Sequence, residues 1–173
     1  PAFVAVTSGP GATNIITTIA DAYYDSIPLI IITGQVGIAD LQRSENIRQR
    51  GFQEVPIINI VKDITKKVFQ PKSIEELSRA IHEACIITNN GRKGPVLIDL
   101  PMNVQLQKID DETLNTLLNI ASLKTPKQKY GLNNEIVSKV NQIINSAKKP
   151  LILLGGGSQE KWEEVRKLLQ IIK

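Results

Sequence analysis

Cysteine, histidine and aromatic side chains are the scarcest chemistry in this sequence: one Cys, one His, and an aromatic content of 4% in 173 residues. A single thiol, Cys85, forms no internal disulfide, which excludes a cross-linked secreted scaffold and fits a reducing, cytoplasmic setting. His82 and Cys85 stand three residues apart on an expected helix. Two ligands without a second pair make a poor zinc site, so a partly buried helix face is the better account and no metal ligand is assigned. The aromatics do not interleave with the paired lysines Lys66 and Lys67 or Lys148 and Lys149. Despite a net charge of +4, the basic stripe and stacking platforms of a nucleic-acid binder are therefore missing. The longest apolar runs, residues 29–32 and 151–154, are far too short to cross a bilayer. No charged start leads into an apolar stretch and a small-residue cleavage site, so export is not expected. Neither nucleic acid nor membrane is expected as a partner.

What is present is the balance of a globular chain, with 42% hydrophobic and 22% charged residues. The length allows one domain, or one domain and the beginning of another. The chain opens on Pro-Ala-Phe-Val-Ala-Val without a methionine and closes on an amphipathic helix, so both ends read as cuts through a larger fold.

Short apolar runs alternate with helix-period segments, the pattern of βαβ units and an α/β fold on a parallel sheet. Residues 3–7 read as a buried strand and Ser8-Gly9-Pro10-Gly11 as a tight turn. From Ala12 onward, Ile15, Ile16, Ile19, Ala20 and Tyr23 fall at helical spacing. Residues 29–33 form a second buried strand, and residues 37–50 a polar loop or loosely held helix. Residues 52–61 read as a short helix and 67–70 as a strand. Ser73 and Glu76 make a capping box for a helix carrying Leu77, Ile81, Cys85 and Ile86 on one face and stopping near Gly91. Residues 95–100 are a third buried strand, closed by Pro101. The first domain thus spans 1–106. Residues 107–131 have the polar texture of a linker, with a short helical turn around 114–118. A second domain begins at 132, with a helix over about 134–147, a strand over 150–154, the turn Gly155-Gly156-Gly157 and a last helix.

The strongest local signal is Thr7-Ser8-Gly9-Pro10-Gly11-Ala12-Thr13-Asn14, between a strand and a helix. Its glycines permit close approach of a bound group, Pro10 stiffens the turn, and the helix start offers unpaired amides. Asn14 adds a side chain that both donates and accepts. The same segment is also no more than a serviceable strand-to-helix turn, and physics alone leaves the two readings even. It is neither a Walker loop nor a G-x-G-x-x-G dinucleotide fingerprint.

This run, continuing through Ile-Ala-Asp-Ala-Tyr-Tyr-Asp-Ser-Ile-Pro-Leu-Ile-Ile-Ile-Thr-Gly-Gln-Val, resembles the pyrimidine-binding domain of thiamine diphosphate enzymes of the acetohydroxyacid (acetolactate) synthase type. Gly51-Phe52-Gln53-Glu54, Ile64-Thr65-Lys66 and Gly91-Arg92-Lys93-Gly94-Pro95-Val96-Leu97-Ile98-Asp99-Leu100-Pro101 follow in the matching order. The resemblance is strong over residues 1–106 and looser beyond. It implies a three-layer parallel-sheet fold: part of a pyrimidine-binding domain, then the start of a Rossmann-like central domain. It implies cofactor contacts at Pro10, Gly11, Asn14 and Gln53, with Phe52 at the substrate channel, although Phe52 also reads as core and Gln53 as surface. Gly155, Gly156 and Gly157 match the place where the central domain of synthases approaches flavin, and equally read as only a turn. The implied activity joins a pyruvate-derived two-carbon unit to a 2-ketoacid acceptor, on the route to branched-chain amino acids. Thiamine diphosphate with Mg2+ is the implied cofactor, FAD a second, and a homodimer or homotetramer the implied assembly.

The resemblance also implies what this segment does not supply. The glutamate that activates the cofactor would precede Pro1, and the domain holding the diphosphate through magnesium would follow Lys173. No catalytic base is therefore assigned, and the segment alone is expected to be inactive. Two positions depart from the family pattern. Met102 stands where synthases carry a lysine, and methionine neither attracts a carboxylate nor donates a hydrogen bond. Residues 38–50 are longer than their counterpart and carry Arg43, Arg48 and Arg50. A related enzyme with another ketoacid or acyl substrate, or a non-catalytic module for flavin or subunit binding, remain the alternatives.

Overall fold

The computed structural model describes residues 1–41, 47–121, 131 and 133–171. Arg43 and the Lys-Thr-Pro-Lys-Gln-Lys stretch lie outside them. The chain divides into two units, Pro1–Gln128 and Lys129–Lys173.

In the first unit, β1 (Ala2–Val6) leads into two short helices, α1 (Pro10–Asn14) and α2 (Ile16–Tyr24). β2 (Leu29–Gln35) follows, then α3 (Ile57–Val61), a 3-10 turn, and β3 (Lys67–Phe69). α4 (Ile74–Ile87), β4 (Val96–Pro101), α5 (Met102–Gln105) and α6 (Asp111–Ala121) complete it. The strands form one parallel sheet in the order β1-β2-β4-β3. In register, Val4 sits beside Ile31, Ile31 beside Leu97, and Leu97 beside Val68.

Alternation of side chains across the sheet gives two cores. On one face Leu29, Ile31 and Leu97 pack with Ile19 and Ala22 of α2 and Ile57 and Val61 of α3. On the other, Ile30, Val96 and Ile98 pack with Ala80 and Ala84 of α4, with Leu77, Ile81 and Cys85 at the margin. Helices on both faces of a parallel sheet make the three layers of an α/β fold. The central strands are buried on both sides, which is why residues 29–32 and 96–98 read as apolar runs. β1 departs from the expected buried strand, because it has a neighbour on one side only and Phe3 is 54% exposed.

The expected capping box is only half built. Ser73 Oγ accepts from the Glu76 amide at 3.2 Å, but the Glu76 carboxylate takes the amide of Lys72 rather than that of Ser73. The helical turn expected around residues 114–118 is the whole of α6. The Asp110 carboxylate caps it by accepting from the Thr113 amide at 2.7 Å, and Ser78 Oγ of α4 donates to Leu117 O at 3.1 Å.

The second unit, within the described residues, holds α7 (Asn134–Ser146), a 3-10 turn (Gly156–Lys161) and α8 (Trp162–Ile171). The strand expected over residues 150–154 is not one: no other strand lies alongside it among the described residues, and Leu151 and Leu153 are 92% and 93% exposed. An apolar run becomes a strand only where a neighbour accepts its ladder hydrogen bonds. No helix among the described residues is long and apolar enough to cross a membrane.

Candidate cofactor site

In a parallel sheet, ligands gather beyond the carboxyl ends of the strands. At that end of β1 the chain turns through Thr7, Ser8 and Gly9 into α1. The helix starts earlier than its apolar spacing indicates, with Pro10 as its first residue, where a missing N–H costs nothing. Asn14 is therefore the last residue of a short helix. The Thr13 amide closes the first turn onto Gly9 O at 2.9 Å, and Thr13 Oγ1 donates to Pro10 O at 3.2 Å.

Gly9 is buried, with φ 58° and ψ −118°, a conformation that L side chains rarely adopt. What lies against it is Gln53. A Cβ at position 9 would come within 2.7 Å of Gln53 Cβ and 3.1 Å of Gln53 O. Gln53 itself has φ 59°, one of two non-glycine residues with a positive value among those described. Its turn is held by the Glu54 amide donating to Gly51 O at 3.2 Å and by the Glu54 carboxylate accepting from the Arg50 amide at 2.8 Å. A Cβ at Gly51 would collide with Val36, so the turn lies directly on the end of β2.

The fold thus brings the segment carrying Pro10, Gly11 and Asn14 to the turn carrying Gln53, far apart in sequence. Asn14 is exposed and Gln53 half-buried. Phe52 is 86% exposed, which removes the core reading and puts its ring at the surface beside the site.

Beneath the Gln53 turn lies a polar cluster that sequence reasoning misses. Asp99 of β4 is 1% exposed. Its Oδ1 accepts from Thr33 Oγ1 at 2.7 Å, and its Oδ2 from Gln35 Nε2 at 3.0 Å and Gln70 Nε2 at 2.9 Å. Burial pushes the Asp99 carboxyl above the usual range, and these three donors pull the other way. The available signal was an acidic residue inside the apolar run Val-Leu-Ile-Asp-Leu-Pro, with Thr33 and Gln35 at alternate positions of the neighbouring strand.

The remaining expected positions lie elsewhere. Met102 opens α5 and is 54% exposed. Its neighbour Asn103 accepts the Ile38 amide at 3.0 Å, tying the start of the loop that follows β2 to α5. Arg48 and Arg50 are exposed. Gly155, Gly156 and Gly157 belong to the second unit, and a Cβ on any of them would meet nothing within 4 Å. Among the described residues no three His, Cys, Asp or Glu side chains converge on a metal position.

Residues 1–62 match the family described as thiamine pyrophosphate enzyme, N-terminal TPP binding domain. The catalytic subunit of the mitochondrial acetolactate synthase of Saccharomyces cerevisiae is 38% identical over 91% of this chain and 22% of its own length. Chloroplastic acetolactate synthase 2 of Nicotiana tabacum is 36% identical over 99% of this chain and 24% of its own. Chloroplastic acetolactate synthase 1 of Oryza sativa is 34% identical over 95% and 24%. The chain spans about a quarter of the length of these curated relatives.

Proposed function

We infer from a chain that is acetolactate synthase-like over nearly its whole length, and that matches the thiamine pyrophosphate N-terminal domain over residues 1–62, that it forms the pyrimidine-side wall of a thiamine diphosphate site. The observation that carries this reading is the packing of Gln53 against Gly9 at the carboxyl edge of a parallel sheet. Pro10, Gly11, Asn14 and Gln53 are the proposed cofactor contacts. The fit is chemical: Asn14 and Gln53 each bring one amide that donates and accepts, the complement of an aminopyrimidine edge. Pro10 has no N–H and a fixed φ, so the backbone there is preorganised and its surface apolar.

Thiamine diphosphate, bound with Mg2+, would supply a nucleophilic carbon for chemistry at the carbonyl of a 2-ketoacid. The residues of this chain bind and orient its ring end, and Phe52 shields the approach to it from water. In the reaction proposed for the whole protein, pyruvate loses carbon dioxide and the remaining two-carbon unit joins a second 2-ketoacid. The site would form between subunits of a homodimer or homotetramer in a reducing compartment such as the cytoplasm. This chain alone supplies one wall of it and no turnover.

Met102 favours a second reading of the same site, in which the donor or acceptor is another ketoacid or an acyl compound. FAD is proposed at Gly155, Gly156 and Gly157, where no packing among the described residues requires glycine. A module kept only for flavin or subunit binding is the non-catalytic alternative.

Calorimetric titration with thiamine diphosphate and Mg2+ tests the proposal, on the chain alone and on the chain joined to its natural flanking sequence. Binding by the extended protein, lost in Gln53→Ala and Asn14→Ala, supports the wall. Binding without consumption of pyruvate moves the substrate to the second reading, and no binding at all ends the enzymatic one.

A further inference from the structure

We propose that Asp99 is a positioning residue for Gln53 and acts through Gln35; this rests on the reading of Gln53 as a cofactor contact. The linkage can be followed atom by atom. Gln35 Nε2 donates one hydrogen to Asp99 Oδ2 at 3.0 Å and the other to Val55 O at 2.8 Å, two residues beyond Gln53. The other end of the same amide, Gln35 Oε1, accepts from the Val36 amide at 2.9 Å. These three bonds leave the Gln35 amide one orientation. Its nitrogen must face Asp99 and Val55, because only an acceptor at position 99 matches a nitrogen there.

Thr33 and Gln70 complete the carboxylate's shell at 2.7 and 2.9 Å, and all three partners present donors. Such a shell suits an ionised carboxylate; an amide can keep its oxygen toward Gln35 and Gln70 only by turning its NH2 to the Thr33 hydroxyl, and its bond to Gln35 loses the assistance of the charge. Asparagine at 99 would therefore weaken the hold on Gln35, and leucine at 35 would release Val55 O altogether. What the anchor holds is the exit of a turn whose own hydrogen bonds end at Glu54. Gln53 sits at φ 59°, outside the favoured regions, and such a residue persists only where its surroundings over-determine it. Gly9 presses on one side of the turn and Gln35 fixes the chain leaving it at Val55.

The test compares Asp99→Asn, Gln35→Leu and Thr33→Val in the chain joined to its flanking sequence. Two readings are taken: hydrogen exchange at the Glu54 amide, and affinity for thiamine diphosphate with Mg2+. In Gln35→Leu, Glu54 exchanges about tenfold faster and the cofactor binds about tenfold more weakly, the scale of one lost charge-assisted hydrogen bond, and Asp99→Asn moves both in the same direction by a smaller factor. Amides of Ile31 and Leu97, in the sheet itself, keep their protection. Thr33→Val removes a bond to the same carboxylate but leaves the Gln35 link, so Glu54 exchange stays as in the unmodified protein. Gln35→Leu retains Asp99 and gives the same reading should Asp99→Asn fail to fold. Unchanged Glu54 exchange in both variants overturns the proposal. So does equal acceleration in Thr33→Val, which would make the effect general loosening. Loosening with undiminished cofactor affinity overturns the positioning role alone. An unmodified protein that binds no cofactor overturns the reading of Gln53, and the role of Asp99 falls with it.

Discussion

Gly9 and Gln53 meet with almost matching backbone angles, φ 58° and 59°, and the glycine has no room for a side chain. A Cβ there would lie 2.7 Å from Gln53 Cβ. Two separate costs follow for Gly9→Ala: a backbone conformation unsuited to L residues, and a collision. Together they come to roughly 2–3 kcal/mol. Urea denaturation of the variant should show that loss. The double variant Gly9→Ala/Gln53→Gly relieves the collision but not the angle, so it should recover only part. Full recovery would mean that the backbone angle at position 9 costs nothing.

Gln53→Gly separates stability from binding. A positive φ costs a non-glycine residue about 1 kcal/mol, and glycine removes that cost while adding unfolded-state entropy of similar size. Unfolding stability should therefore move by less than about 1 kcal/mol. Affinity for thiamine diphosphate should nevertheless fall, because the amide is gone. A variant that unfolds early would make Gln53 a structural residue. One that binds as before would remove it from the site.

Asp99 gives a pH signature of defined sign. Burial raises its carboxyl in the folded protein, so the folded state holds this proton at pH values where the unfolded chain has lost it. Stability from this group is present below the unfolded pKa, about 4, and is lost as pH rises through the raised folded value. Asp99→Asn removes the titrating group and so flattens that slope, while lowering stability overall by weakening its bonds to Gln35 and Gln70. Denaturation midpoints across the acidic range measure both. An unaltered slope in the variant would mean that Asp99 does not titrate differently in the two states.

The sheet was legible because its strands declare themselves locally. β2 and β4 carry the apolar runs 29–32 and 96–98, and the helix-period residues Ile19, Leu77 and Ile81 mark the layers on either face. Whatever depends on pairing across the chain was not legible. Residues 151–154 are as apolar as residues 29–32, yet only the latter have neighbours and become a strand. The polar texture after residue 106 hid α6, although Asp110 is an ordinary helix cap and Leu114 and Leu118 keep helical spacing. At the site, the turn through Gly9, Pro10 and Gly11 stood out in sequence, but residues 52–56, expected as the start of a helix over 52–61, form the Gln53 turn and its exit, and the helix begins at Ile57. Their meeting at Gly9, and the buried carboxylate beneath, come from strand register: Thr33 lies beside Asp99 only because Ile31 lies beside Leu97.

Met102→Lys tests the substrate side independently of the fold. Met102 is 54% exposed at the first position of a four-residue helix, and its side chain belongs to neither core cluster. The substitution should change stability by no more than about 0.5 kcal/mol, as exposed positions usually do. An ammonium there adds a positive charge that attracts a carboxylate, where a thioether gives no such attraction. If the protein acts on a ketoacid whose carboxylate passes this point, KM for pyruvate should fall in Met102→Lys with kcat little changed, and the gain should shrink as salt is raised. A KM that stays put, or an equal gain with an uncharged acyl donor, would place the substrate's path away from α5 and favour the reading in which the carboxylate is not what this chain selects.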